Sequence, residues 1–274
     1  MGVDVFENKI AIVTGGASGI GRALGQQLAG RKAQVILADI NTKLLEETAN
    51  GIAKVGGRVK PVRLDVTDFM AVEKLVDDTA TEYGRLDYIF NNAGIAVFGE
   101  ARDFSYEDWR KVIDTNLYGV VNGVAAAYPV MVKQGFGHIV NTASGAGLVP
   151  MPAEVSYATS KFGVVGLSNA LRMEGEALGV RVSVACPGFV ATPIFETTKH
   201  LKLDREKVLK ILPKGISAEE CARAILSGVE KNQATIVVTL LAKVLWWIHR
   251  ISPAITFWMW RRNIRKMREA RIED

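Results

Sequence analysis

Short apolar runs alternate along the chain with longer segments whose apolar residues recur at helical spacing. Ile10-Ala11-Ile12-Val13, Val35-Ile36-Leu37-Ala38, Val59–Leu64, Leu86–Phe90, His138-Ile139-Val140, Val180–Cys186 and Thr235–Val238 read as seven strands. Between them, helical periodicity covers Arg22–Arg31, Thr42–Val55, Met70–Tyr83, Tyr106–Val132, Ser156–Ala177 and Ala218–Lys231. A continuous apolar run marks a strand buried on both faces. Regular alternation with helices then makes the sheet parallel and doubly wound, with right-handed crossovers. The prediction is an α/β fold: a mostly parallel seven-stranded sheet with helices on both faces over residues 1–239. Residues 189–214 form a lid, and an amphipathic, aromatic helical tail occupies 240–274.

Composition supports one sizeable core. The chain has 274 residues, 49% of them hydrophobic, which excludes disorder and needs no disulfide staple. Its two cysteines, Cys186 and Cys221, fit a reducing compartment or simple core packing, and no Cys/His spacing suggests a metal site. The first nine residues lack a basic stretch followed by an apolar one, so no secretion signal is expected and a cytoplasmic location is. The net charge of +5 is local. Residues 240–274 hold eight Lys/Arg against three Asp/Glu, and the remaining 26 Lys/Arg are matched by 26 Asp/Glu.

Candidate chemistry lies at the ends of the strands, where open α/β sheets bind ligands. Thr14-Gly15-Gly16-Ala17-Ser18-Gly19-Ile20-Gly21 follows the first strand and opens the first helix. Glycines there allow a tight turn and close backbone approach, and the helix N-terminus offers N–H groups to a pyrophosphate. Asp39, with Ile40 beside it, ends the second strand. A carboxylate there accepts ribose hydroxyls and repels a 2′-phosphate, which predicts NAD over NADP. Asp65-Val66 ends the third strand, at an adenine edge, and Asn91-Asn92-Ala93-Gly94 ends the fourth.

Tyr157 and Lys161 are four residues apart, hence neighbours on one helical face. A phenol is a poor base at neutral pH, and a nearby ammonium favours the phenolate. Tyr157 then takes a proton from an alcohol, or returns one to a carbonyl. Ser144, ending the fifth strand, is placed to hold the reacting oxygen. Asn116 falls in the middle of a helix, where it is placed to hold water beside Lys161.

Together these motifs resemble the short-chain dehydrogenase/reductase family in its single-domain, Rossmann-type form. The matching elements are Thr14–Gly21, Asp65, Asn91–Gly94, Asn116, Ser144, Tyr157–Lys161 and Pro187-Gly188 followed by Thr192. The resemblance implies a catalytic tetrad of Asn116, Ser144, Tyr157 and Lys161, with Lys161 also bonding the nicotinamide ribose. It implies that Pro187, Gly188, Val190 and Thr192 lie along the nicotinamide. It also implies a homodimer or homotetramer packed through the helices near Tyr106–Val132 and Ser156–Ala177.

On the substrate side, Phe98, Ala146, Leu148, Met151, Phe189 and Phe195 predict a mostly apolar pocket for a lipophilic secondary alcohol or ketone of steroid, long-chain or 3-hydroxyacyl type. Alternative readings are a 3-oxoacyl reductase using NADPH and a non-catalytic NAD(H)-binding sensor or scaffold at a membrane. Four of the five tryptophans lie in the tail, beside Arg261-Arg262 and Arg265-Lys266. Lys243, Arg250 and Pro253 interrupt its apolar run too often for a span. Trp and Lys/Arg instead favour a membrane surface, on the inner face of a membrane. The competing expectation is a tail docked on a sister subunit or over the substrate pocket. Nucleic acid ranks last.

Overall fold

In the computed structural model, residues 4–272 are described, apart from the side chains of Phe195 and Glu196. The expectation about the N-terminus therefore falls partly, and that about Phe195 wholly, outside the described residues. Seven strands form one sheet: β1 (Ile10–Thr14), β2 (Gln34–Asp39), β3 (Arg58–Arg63), β4 (Tyr88–Asn91), β5 (Gly137–Thr142), β6 (Val180–Cys186) and β7 (Thr235–Val237). Their order is β7-β6-β5-β4-β1-β2-β3, and every neighbouring pair is parallel. The order reverses between β1 and β4, which opens a crevice at their carboxyl ends.

Strand periodicity divides the core in two. Ile10 and Ile12 of β1 face one layer, with α3 (Phe69–Tyr83), α5 (Gly119–Gln134) and α6 (Val155–Glu176) packed over it. Ala11 and Val13 face the other layer, beneath α1 (Gly19–Gly30), α2 (Thr42–Lys54) and α9 (Ala218–Glu230). β3 departs from the apolar pattern because it is an edge strand. Arg58, Lys60 and Arg63 are exposed along it, and Pro61, which has no N–H to donate, is tolerated there.

The helical region expected over Tyr106–Val132 runs without a break from Tyr106 to Gln134, with a change of winding inside it. α4 (Tyr106–Ile113) begins at a capping box between Ser105 and Asp108 and passes into a π-helical turn, Asp114–Tyr118, before α5. Asn116 sits in that wider turn and is fully buried.

The lid is ordered. It contains α7 (Ile194–Thr197) and α8 (Arg205–Ile211), and Lys199–His200 pairs with Val97–Phe98. The tail forms α10 (Leu240–Ile251) and α11 (Pro253–Glu269), joined at Ser252-Pro253. It docks on its own domain. Ala242 enters the main core, and Ala270 packs with Phe98, Leu203 and Val208 in a small core of its own. The Ala270 carbonyl accepts from the Asp204 N–H at 2.8 Å, and Leu203 bridges Arg271 in antiparallel fashion.

Candidate active site

The glycine turn after β1 is shaped by contacts that admit no side chain. Gly15 has φ 65°, and a Cβ there would stand 2.9 Å from Ala93 Cα. A side chain on Gly21 would strike the Gly15 carbonyl oxygen, so Gly21 seats α1 against the turn and does not face the crevice. Ser18 begins α1 without a side-chain cap, which leaves that helix end available for an anion. The Asp39 carboxylate anchors the other side of the turn. It accepts from the Ala17 N–H at 3.0 Å and from the Asn41 N–H at 2.9 Å.

Thr14 ties the two sides of the switch point together. Its hydroxyl oxygen accepts from the N–H groups of Asn92, at 2.9 Å, and Ala93, at 3.1 Å. The Asn92 amide donates back to the Thr14 carbonyl at 3.1 Å. The crevice beyond is a groove of about 810 Å³, within the volume range of small-molecule and cofactor sites. Gly15, Ser18, Gly19, Ile20, Asp39, Ile40, Asp65 and Val66 line it. Asn92, Ala93, Gly94, Tyr157, Lys161, Pro187, Gly188, Val190 and Thr192 line it as well, with Ala93 beside Gly15 and Thr192 beside Gly19. These residues fit an extended nicotinamide dinucleotide: glycines where a backbone must approach, a helix end for phosphate, a carboxylate for ribose.

Ser144, Tyr157 and Lys161 converge at the inner end. Gly147 makes this possible, since a Cβ there would lie 2.7 Å from the Lys161 carbonyl carbon; the turn Gly145–Gly147 therefore sits directly on α6. The Ser144 hydroxyl is hydrogen-bonded to Tyr157 and also accepts from the Ala146 N–H at 3.1 Å. The Lys161 ammonium nitrogen donates to the Thr142 carbonyl at 2.9 Å and lies 5.5 Å from the Tyr157 ring centre.

Electrostatics here differ from the simple expectation. Burial pushes the Tyr157 phenol up to about 12, and the hydrogen bond with Ser144 only partly opposes it. Burial likewise pulls Lys161 down to about 8. The lysine sits over the ring face rather than at the hydroxyl, so desolvation decides the direction for both groups.

Asn116 stands behind these residues and does not line the groove. Its Oδ1 accepts from the Ile95 N–H at 2.8 Å, and its Nδ2 donates to the Ile95 carbonyl at 2.9 Å. It therefore fixes the loop after β4, close behind Gly94.

A second cavity, of about 130 Å³, opens from the groove, and Ser144, Tyr157, Pro187 and Gly188 line both. Its walls are mostly apolar. Phe98, Met151 and Phe189 line it as expected. Ala146 and Leu148 do not, because the tight turn after Ser144 points them inward, where they are 1% and 7% exposed. The sequence reading missed Glu154, Thr239 and Leu245, which also line it. Glu154 immediately precedes α6, three residues before Tyr157, and that spacing was the available signal. Burial pushes its carboxyl up to about 8. Leu245 and Ala242 come from the tail, so α10 forms part of the pocket wall.

A family model described as short chain dehydrogenase matches residues 9–202. SadH of Mycobacterium tuberculosis is 36% identical over 246 residues, covering 88% of this chain and 89% of that protein. The 3-oxoacyl-[acyl-carrier-protein] reductase FabG of Thermotoga maritima is 37% identical over 223 residues, covering 81% and 90%. Among solved structures, a short chain dehydrogenase/reductase from Burkholderia phymatum in complex with NAD superposes with a TM-score of 0.85 at 28% identity, covering 93% of this chain and 96% of that one.

Proposed function

The chain belongs to the short-chain dehydrogenase/reductase family, oxidoreductases of CH–OH groups that use a nicotinamide cofactor, and from that premise we propose that it is an NAD-dependent dehydrogenase of lipophilic secondary alcohols. The observation that carries this reading is that Ser144 and Tyr157 line both the dinucleotide groove and the apolar pocket. A substrate carbon in the pocket thus meets the groove where a proton acceptor and a hydrogen-bonding hydroxyl stand together.

Bound NAD supplies a hydride acceptor at this junction. The chain's own residues do the rest. Ser144 holds the substrate oxygen, and Tyr157 takes the hydroxyl proton as general base, or returns it in the reductive direction. Lys161 adds positive charge beside the phenol and offers its ammonium group to the cofactor ribose. Asn116 is a positioning residue that holds the loop carrying Gly94. Asp39 favours NAD: a 2′-phosphate beside this carboxylate would meet like charge.

The apolar walls support a steroid, long-chain or 3-hydroxyacyl substrate over a small charged hydroxy acid. The resemblance to a 3-oxoacyl reductase keeps reduction with NADPH as the second reading, and a non-catalytic sensor as the third. The enzyme works in the cytoplasm, on the inner face of a membrane, as a homodimer or homotetramer. Exposed Tyr106, Tyr118, Phe162 and Met173 on α4, the turn after it, and α6 support the subunit contact. Purified protein given NAD or NADP and secondary alcohols of graded chain length tests the central reading. NADH formation that grows with lipophilicity and is abolished in Tyr157→Phe is expected; turnover confined to small hydroxy acids overturns it.

A further inference from the structure

α10 has two apolar faces. One presents Ala242 and Leu245 to the pocket. The other presents Leu240, Val244, Trp247 and Ile251 outward, with Trp247 58% and Ile251 80% exposed. Beyond Ser252-Pro253, Ile255 and Trp258 of α11 are exposed as well, at 48% and 58%. A hydrogen bond of 2.8 Å between His249 Nδ1 and Thr256 Oγ1 fixes the elbow between the two helices.

The charge along this part of the tail has one sign. Residues 240–266 contain Lys243, Arg250, Arg261, Arg262, Arg265 and Lys266, and no Asp or Glu. Arg250 lies 5.4 Å from the Trp246 ring centre and 5.8 Å from that of Trp247, and Arg262 lies 5.7 Å from that of Trp258. Cations held on exposed indoles beside aliphatic side chains suit an interface with apolar depth and a negative surface. Among the described residues no helix is long and apolar enough to cross a membrane, which leaves lying on it. A second copy of the chain is a poor occupant. Two-fold self-contact sets the same patch against itself, and every charge in it would meet its like.

We propose that the outward face of α10 and the first turns of α11 is a seat for an anionic lipid bilayer, so that α10 is a wall shared by the membrane and the substrate pocket. The inference deepens the functional reading given above and rests on it for the lipophilic substrate. A substrate dissolved in the bilayer then needs to pass only the edge of one helix to reach Tyr157.

The test is co-sedimentation of the full chain with vesicles of phosphatidylglycerol and phosphatidylcholine, and with phosphatidylcholine alone. Binding to the anionic vesicles that weakens at high salt is expected. Trp247→Glu combined with Ile251→Glu should lower the partition coefficient by about tenfold or more, with NADH binding and oligomeric state unchanged. Brominated phosphatidylcholine included with the phosphatidylglycerol should quench indole emission, and Trp247→Phe with Trp258→Phe should remove most of the quenched share. A wild-type chain that stays in the supernatant with both vesicle types overturns the proposal. So does a double-Glu variant that binds vesicles as before, or one that changes the oligomer instead. None of these readouts needs turnover, so failure of the alcohol assay and failure of membrane binding are separable.

Discussion

Lys161 holds its ammonium nitrogen 5.5 Å from the Tyr157 ring centre and spends a hydrogen bond of 2.9 Å on the Thr142 carbonyl. The pair is therefore a charge beside a ring, anchored to the end of β5, and the phenol oxygen is hydrogen-bonded to Ser144.

That arrangement sets the direction of pH dependence. With burial raising Tyr157 to about 12, the phenolate needed for alcohol oxidation accumulates only on the alkaline side. Oxidation should rise with pH and reduction should fall. The hydrogen bond with Ser144 pulls the phenol pKa down, so Ser144→Ala should move the alkaline limb of the kcat/KM profile to higher pH. It should also cut the rate by roughly 100-fold or more, the scale of a lost hydrogen-bond donor at the reacting oxygen. An unmoved limb would separate Ser144 from the titration of Tyr157.

Glu154 gives an independent pH signature in stability. Burial raises its carboxyl to about 8 from an ordinary 4.5. The folded state therefore keeps a proton that the unfolded state loses, and stability declines as pH rises through that window. Glu154→Gln keeps the shape and removes the titration. Its Tm should equal that of the wild type near pH 4.5, then exceed it by roughly 4 °C or more above pH 8, given about 2–4 °C per kcal/mol for a chain of this size. A gap that does not change with pH would sink the assignment.

Much of this was legible in the chain. Seven apolar runs became seven strands because each central one is buried on both faces, as Ile10 and Ile12 on one side and Ala11 and Val13 on the other show. Strand-end motifs were legible because a parallel sheet brings all its carboxyl ends to one edge, so Gly15, Asp39, Asp65 and Asn92 meet on one groove. The pocket was less so. Periodicity does not reveal the extra residue per turn that buries Asn116, nor the tight turn that hides Ala146 and Leu148. Leu245 reaches the pocket from 88 residues beyond Tyr157, through packing that no local pattern encodes.

Asp39 should be separable into shape and charge. Its oxygens accept from Ala17 and Asn41, so deletion would disturb the turn as well as the ribose site. Asp39→Asn keeps one acceptor and loses the charge. The ratio of kcat/KM for NAD over NADP should fall by roughly tenfold or more, the scale of a relieved like-charge contact of 1–2 kcal/mol. The melting temperature should move little. An unchanged ratio would place cofactor choice elsewhere in the groove.

The end of the tail clamps the region over the pocket. Arg268 makes a two-pronged contact with Glu100 at 3.1 and 3.0 Å, and Arg271 another with Asp103 at 2.7 and 2.8 Å. Both acids follow the strand that carries Phe98, and Ala270 between the two arginines seals the small core with Leu203 and Val208. Exposed ion pairs contribute only about 0–1 kcal/mol each, but the Glu100 and Asp103 side chains are 13% and 6% exposed and would lose their partners, so Arg268→Ala with Arg271→Ala should lower Tm by about 2–6 °C or more. The larger effect is local. Freed from its clamp, the 199–214 part of the proposed 189–214 lid should be cut faster by trypsin, and KM for lipophilic alcohols should rise with kcat nearly unchanged, since Ser144, Tyr157 and Lys161 lie on other elements. Restoring the charges as Arg268→Lys with Arg271→Lys should recover only part of the protection, because an ammonium cannot reproduce the two-pronged geometry. Equal cleavage of wild type and double-Ala variant, with KM unmoved, would show that the small core alone holds the lid.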